Sequence, residues 1–256
     1  MMKSCLISIL VSLASFTTAW GQASGTQVTE TDSTLTLRNS KVRVEFPKGE
    51  AFDISKLTLN GKELVLSKGY NTVPWTLTYK GPQGENPVLF PSHGEYAGWA
   101  KTTKDGHVAI AFKWNMRLTY QDLVPVVMTV SLPGDSELAY WDIQAGTPDG
   151  WLVSNTQFPR ITVTRPDKAK LITSAGWGAE YNLSNPQVYT SSYPSVTGSM
   201  QLLLLHNPDG SVYYATEDRE ACGKDFRAAV GDKSVTLLTD IVASEGWSDH
   251  TSKTFA

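Results

Sequence analysis

Cysteine is scarce: the 256 residues hold only Cys5 and Cys222. Cys5 falls in an N-terminal stretch that reads as a removable leader, so the mature chain keeps one thiol and no intrachain disulfide, and its stability must come from its core. No apolar run approaches the roughly 20 residues that span a bilayer, which excludes a membrane-spanning helix. Charge of one sign is not concentrated either. The formal net charge is −3, with no basic block, so nucleic acid and anionic membrane surfaces are poor partners.

Several chemistries lack their parts. The four histidines, at 93, 107, 206 and 250, form no close pair with another His or Cys, so no metal is expected. A glycine-rich phosphate loop, a strand-to-helix nucleophile elbow and a nucleotide-binding βαβ unit are all missing, which excludes phosphoryl and hydride transfer and leaves no cofactor expected. A sustained helical period of 3.6 is absent as well; the best short helical candidate, Arg219 to Phe226, is interrupted by Gly223.

What is present begins with export. Lys3, an apolar run from Cys5 to Ala14 and small residues at Ala19, Gly21 and Ala23 have the order of a signal peptide. Signal peptidase could cut after Gly21 or after Ala23; the first, the favoured site, gives a leader of residues 1–21 and a mature chain of 22–256, secreted or periplasmic. Cys5 precedes the apolar run, which argues against a lipoprotein.

Beyond a polar leader from Ser24 to Ser33, alternation of period two dominates. Thr34 to Arg38 and Lys41 to Phe46 flank an Asn39-Ser40 turn, and Leu57 to Asn60 and Lys62 to Leu66 flank Asn60-Gly61, a strong hairpin signal because both turn residues tolerate positive φ. Trp75 to Tyr79, Val108 to Thr119, Val126 to Leu132, Leu138 to Gln144, Gln157 to Thr164, Met200 to His206, Ser211 to Thr216 and Ser234 to Ala243 complete a dozen or so strands. Short turns and no crossover helices predict an all-β chain, a large antiparallel two-sheet sandwich in a single domain over 22–256.

Two stretches, Lys80 to Lys104 and Ser174 to Ser199, read as long loops rich in Gly, Pro, Ser, Asn and aromatic residues. Loops of that length in a compact domain are often functional. The first holds Phe90, His93, Tyr96 and Trp99; the second holds Trp177, Tyr181, Tyr189 and Tyr193. Trp99 and Trp177 are flanked by glycine, where a ring can be offered to the C–H face of a sugar while Asn, Gln and Tyr bond its hydroxyls. Trp114, Trp141 and Trp247 lie on or beside alternating strands and read as core. The carbohydrate-binding candidates are Trp99, Trp177, Tyr193, His93 and Glu180, and no catalytic residue is assigned. Glu95, Glu180, Glu217, Asp218 and Glu245 are the carboxylates a glycosidic mechanism could draw on, since its acid and base are placed by the fold and not by sequence spacing.

Two regions carry a family likeness. One is Tyr193-Pro194-Ser195, Gly198 to His206, Asn207 to Gly210 and Val212 to Asp218, with Lys224-Asp225-Phe226 following; the other is Leu35 to Phe46, Asp53-Ile54 and Gly61 to Leu64. Together they resemble the N-terminal β-supersandwich, of galactose-mutarotase-like type, found in secreted bacterial glycoside-hydrolase-like proteins. The resemblance implies a domain that precedes a catalytic (β/α)₈ barrel and packs near the sugar site. His206-Asn207 and Glu217-Asp218 depart from the pattern of the relatives, so no residue-level role is carried over. Three functions follow as expectations. The first is a non-catalytic carbohydrate-associated domain of a glycoside hydrolase. The second is a free-standing mutarotase-type enzyme in which a loop Glu and a His such as Glu180 and His93 converge, and the third is a module that packs against another protein domain.

Overall fold

The computed structural model describes residues 25–48, 54–64, 73–120, 122–165, 167–207, 210–218, 222–242 and 253–255. Residues 1–21, expected to be a signal peptide, and Asp53, Glu245, Trp247 and His250 lie outside them. The described residues are all-β apart from one 3₁₀ turn at Pro91–His93.

The strands hydrogen-bond into four antiparallel sheets. The first contains β1 (Gln27–Glu30), β2 (Thr34–Arg38), β3 (Val42–Pro47), β4 (Lys56–Leu59) and β5 (Lys62–Leu64), in chain order. The second runs β20 (Lys253–Phe255), β11 (Tyr140–Ala145), β10 (Leu123–Leu132), β9 (His107–Arg117) and β8 (Gly94–Lys104). The third orders β15 (Gln187–Tyr193), β18 (Lys224–Val230), β19 (Ser234–Val242), β12 (Leu152–Thr164), β6 (Thr76–Lys80) and β7 (Val88–Leu89). The fourth orders β14 (Ala179–Asn182), β13 (Lys170–Thr173), β16 (Leu202–Asn207) and β17 (Gly210–Ala215).

Four sheets replace the expected two, set in a propeller-like ring. Turn chemistry joins only neighbours in sequence, such as β2 with β3 or β4 with β5. The division into sheets is decided by distant ladders, β12 with β6 and β19 and β13 with β16. β12 also shifts register twice, between Val153 and Asn155 and between Gln157 and Arg160, and such bulges bend a strand away from a flat continuation. Two further expectations are corrected. Lys80 to Lys104 is not one long loop, because β8 occupies its last eleven residues, and the stretch from Ser174 to Ser199 contains β14 and β15. The absence of a helical period holds where Arg219 to Phe226 came nearest to one: residues 219–221 lie outside the described residues, and from Lys224 the chain is strand, burying Lys224, Phe226, Ala228 and Val230 in strict alternation.

That alternation builds the core. In β3, Val42, Val44 and Phe46 turn inward while Arg43 faces solvent. Phe46 meets Phe112 and Trp141 of the second sheet at ring-centroid separations of 4.8 and 6.2 Å. Trp75, just before β6, packs edge-on against Trp114 at 5.5 Å, so the expected core roles of Trp114 and Trp141 hold. Each such ring stabilises the fold by about 1.5–3 kcal/mol through the area it removes from water. All four sheets meet at a cavity of about 190 Å³, whose walls include Leu57, Trp141, Ile161, Val212 and Tyr214.

Candidate functional site

A polar cleft of about 260 Å³ lies where the second and fourth sheets approach, lined by Lys104, Asp105, His107, Ser131, Tyr140, Asp142 and Glu217. The β8–β9 hairpin supplies the first three. Its turn places Asp105 at φ 51° and Gly106 at φ 80°, the left-handed pair that matches the twist of the flanking strands. His107 therefore emerges at the head of β9. Ser131 of β10 sits opposite both Ala109 and Tyr140; two small residues in one row leave the floor low. Glu217 enters from the fourth sheet, just after β17.

The electrostatics are mixed. Asp142 is buried, with 4% of its side chain exposed, and its Oδ2 lies 3.5 Å from the Lys104 ammonium. The His107 ring lies nearly parallel to Tyr140, at 15° and 6.3 Å between centroids. Burial raises the Tyr140 phenol above its ordinary pKa, with Glu217 and then Tyr213 adding to the effect, so Tyr140 stays a hydrogen-bond donor at neutral pH. Carboxylate acceptors, ammonium and hydroxyl donors and one imidazole in a single hollow are suited to a ligand bearing several hydroxyls. His107 and Glu217 also bring an imidazole and a carboxylate into one space, the pairing that proton transfer uses. Among the described residues no group of three His, Cys, Asp or Glu could hold a metal ion.

The residues singled out from the sequence lie elsewhere. Trp99 belongs to strand β8, opposite Phe112 and after a bulge at Gly98; it is half-buried against the core, which corrects its assignment to a loop. Trp177 is fully exposed, at 107%, on a turn between Gly176 at φ 58° and Gly178 at φ 103°. Glu180 is ion-paired with Lys170 at 2.6 Å on the surface of β13 and β14. His93 rests on Phe90, ring centroids 3.4 Å apart, with Nδ1 3.2 Å from the Val88 carbonyl. Neither His93 nor Glu180 lines this cleft. Tyr193 is half-buried beneath the Lys224 ammonium, 5.4 Å from its ring centroid. Of the four candidate carboxylates among the described residues, Glu217 alone lines the cleft. Glu95 is exposed on β8, and Asp218 bonds Lys224 at 2.6 Å.

Beyond Tyr193 the chain folds back on β15. Ser191 Oγ donates to the Thr197 carbonyl at 2.6 Å, and the Ser192 amide donates to Thr197 Oγ1 at 3.3 Å. A Cβ at Gly198 would stand 2.6 Å from the Ser192 carbonyl oxygen, so this close approach requires glycine.

Comparison with known proteins adds a relationship in sequence and one in fold. No protein-family model matches the chain. Over 246 residues it is 38% identical to a Bacteroides thetaiotaomicron protein named "Putative glycoside hydrolase", a match covering 96% of this chain and 36% of that protein. The chain therefore spans about a third of the length of this relative. Among solved structures, the α-N-acetylgalactosaminidase NagBb of Bifidobacterium bifidum in complex with GalNAc superposes with a TM-score of 0.66 at 11% identity, covering 86% of this chain and 35% of that one. A TPR-domain containing protein from Parabacteroides distasonis superposes with a TM-score of 0.54 at 10% identity, covering 86% of this chain and 45% of the other. At these identities the likeness is one of fold.

Proposed function

We propose that this chain is an exported, carbohydrate-associated β domain of a glycoside-hydrolase-type protein, one that holds or positions glycan while hydrolysis is carried by a further catalytic domain such as a (β/α)₈ barrel. The observation that carries this reading is the 38% identity that runs along 96% of the chain to a protein named for glycoside hydrolysis and nearly three times its length. The galactose-mutarotase-like likeness of the sequence and the hydroxyl-matching cleft support it. The test is a broad array of neutral glycans probed with the purified chain. At least one oligosaccharide is expected to bind, and Asp142→Asn with Glu217→Gln to abolish that binding. An empty array sinks the proposal.

A second reading, sugar-ring proton transfer by the chain itself, is favoured by one observation: His107 and Glu217 line the same cleft. It predicts catalysed interconversion of sugar anomers, followed by polarimetry, that falls at least about a hundredfold in Glu217→Gln, the scale of one general base. A rate equal to that of buffer rejects it.

A further inference from the structure

The outer face of the third sheet carries a row of polar side chains joined across its strands. Thr76 Oγ1 donates to Gln157 Oε1 at 3.2 Å, and Gln157 Nε2 donates to Asp240 Oδ2 at 3.5 Å. The Asn155 amide donates to Asp240 Oδ1. Arg227 Nη2 reaches Asp240 at 3.0 Å and Asp225 at 3.3 Å. Asp240 is thereby satisfied from three sides, which explains how a carboxylate only 3% exposed is tolerated there.

Arg160 breaks the pattern. Its neighbour Ile161 lines the central cavity, so Arg160 projects to the opposite, outer face, beside Leu238 in the ladder; Leu238 in turn pairs with Arg227. The two guanidinium stems flank Leu238 and leave it 6% exposed, a use of arginine stems to cover apolar surface. Arg160 is half-buried, yet among the described residues its guanidinium has no acceptor: no ion pair forms, and its Nε–H is shut off from water without a partner. Asp240 acts on it only through space, while burial works against its charge. Its terminal nitrogens also bond no described residue but, unlike Nε, are not shut off from water, so a half-buried cation in this state fits a site completed from outside at that edge of the guanidinium.

We propose that Arg160 and the row Thr76, Gln157, Asn155 and Arg227 form a receptor for an acidic sugar, a hexuronate-type residue whose carboxylate bonds Arg160 in the forked geometry of guanidinium and carboxylate while its hydroxyls meet the amide and threonine groups. The surplus cation selects the carboxylate, because Arg227 is already spent on Asp240 and Asp225. The polar character of the row favours a sugar over a protein surface: Leu238 is covered, and Val242, opposite Asn155 in the ladder and 59% exposed, is a single apolar side chain at the end of the row, whereas the core of a protein interface is apolar throughout. The sugar half of this inference rests on the carbohydrate reading above; the carboxylate half stands on Arg160 alone.

The test is titration of the ¹⁵N-labelled full chain with D-glucuronate, D-glucose, acetate and sodium chloride, following the Arg160 Nε–Hε resonance. Glucuronate is expected to shift it at about tenfold lower concentration than glucose or acetate, the scale of one added charge-assisted hydrogen bond. Arg160→Gln should abolish the response and Arg160→Lys retain part of it. If either variant fails to fold, the wild-type titration decides. Equal response to glucuronate and glucose, or to sodium chloride, overturns the proposal; acetate acting as well as glucuronate overturns its sugar half. Loss of glucuronate binding while neutral glycans still bind the array removes this inference alone, whereas an empty array removes the function proposed above.

Discussion

The Thr239 hydroxyl donates to the Tyr214 hydroxyl at 3.0 Å, and Tyr214 passes its own hydrogen to the Pro159 carbonyl at 2.9 Å. Three strands of two sheets are tied at one phenol with almost no access to water. Tyr214→Phe leaves both Thr239 and the Pro159 carbonyl without this partner, and a loss of about 1–3 kcal/mol is expected in urea unfolding. No change in the midpoint would show that the chain of hydroxyls contributes nothing.

The same burial sets an alkaline limit. Burial pushes the Tyr214 and Tyr79 phenols well above their ordinary value, and Tyr96 is pushed up to about 12 by burial and, less, by Glu30. A raised folded-state pKa means that the native state holds the proton more tightly than the unfolded one. The stabilisation is full below the unfolded value near 10 and is lost as pH rises toward the folded values. Stability should be flat from about pH 7 to 9 and then fall, by about 1.4 kcal/mol per pH unit for Tyr214 alone, with a shallower fall in Tyr214→Phe. A wild-type curve still flat at pH 11 would contradict the buried phenols.

Two lysine ion pairs should behave oppositely. Lys224 is 1% exposed in its side chain and bonds Asp218 at 2.6 Å and Gln201 at 2.7 Å. Lys224→Met removes one charge of a buried pair and should cost about 3–5 kcal/mol. Lys170→Met breaks the exposed pair with Glu180 and should cost under about 1 kcal/mol. Chemical denaturation of the two variants side by side reads the difference; equal costs would refute the argument from burial.

Trp99 and Trp177 should also separate. Trp99→Ala removes a ring packed on the core and is expected to lower stability by about 2 kcal/mol or more. Trp177→Ala should leave it within about 0.5 kcal/mol, since that ring touches solvent all round. If Trp177→Ala unfolds the chain at lower urea by as much as Trp99→Ala, the placement of that turn is wrong.

Those two tryptophans show what sequence could reveal. Both sit beside glycines and read alike, but Gly98 marks a bulge inside a strand while Gly176 and Gly178 turn a hairpin. Local signals sufficed where partners adjoin in sequence: the Asn60-Gly61 and Asp105-Gly106 turns fold as their chemistry requires, and alternation from Thr34 to Phe46 gives the core face of β2 and β3. They failed where alternation is weak or pairing is remote. β8 carries Gly94, Ala97, Gly98 and Ala100, too small for clear alternation, and β18 begins with a buried lysine at a position where alternation calls for an apolar residue, which disguises its period. The cleft was illegible for the same reason, because Lys104, Ser131, Asp142 and Glu217 come from separate elements of two sheets.

The fold-back at Gly198 bears on how the molecule behaves toward its own copies. β15 ends the six-stranded sheet, and its seven residues contain neither lysine nor proline, the usual means of blunting an edge that could recruit another chain. Instead Thr197 occupies Ser191 and Ser192, an arrangement only a residue without a side chain at 198 permits. Resistance to edge-to-edge association is thus concentrated in one glycine, leaving the half of β15 around Val188, 63% exposed, as the direction from which self-association would start.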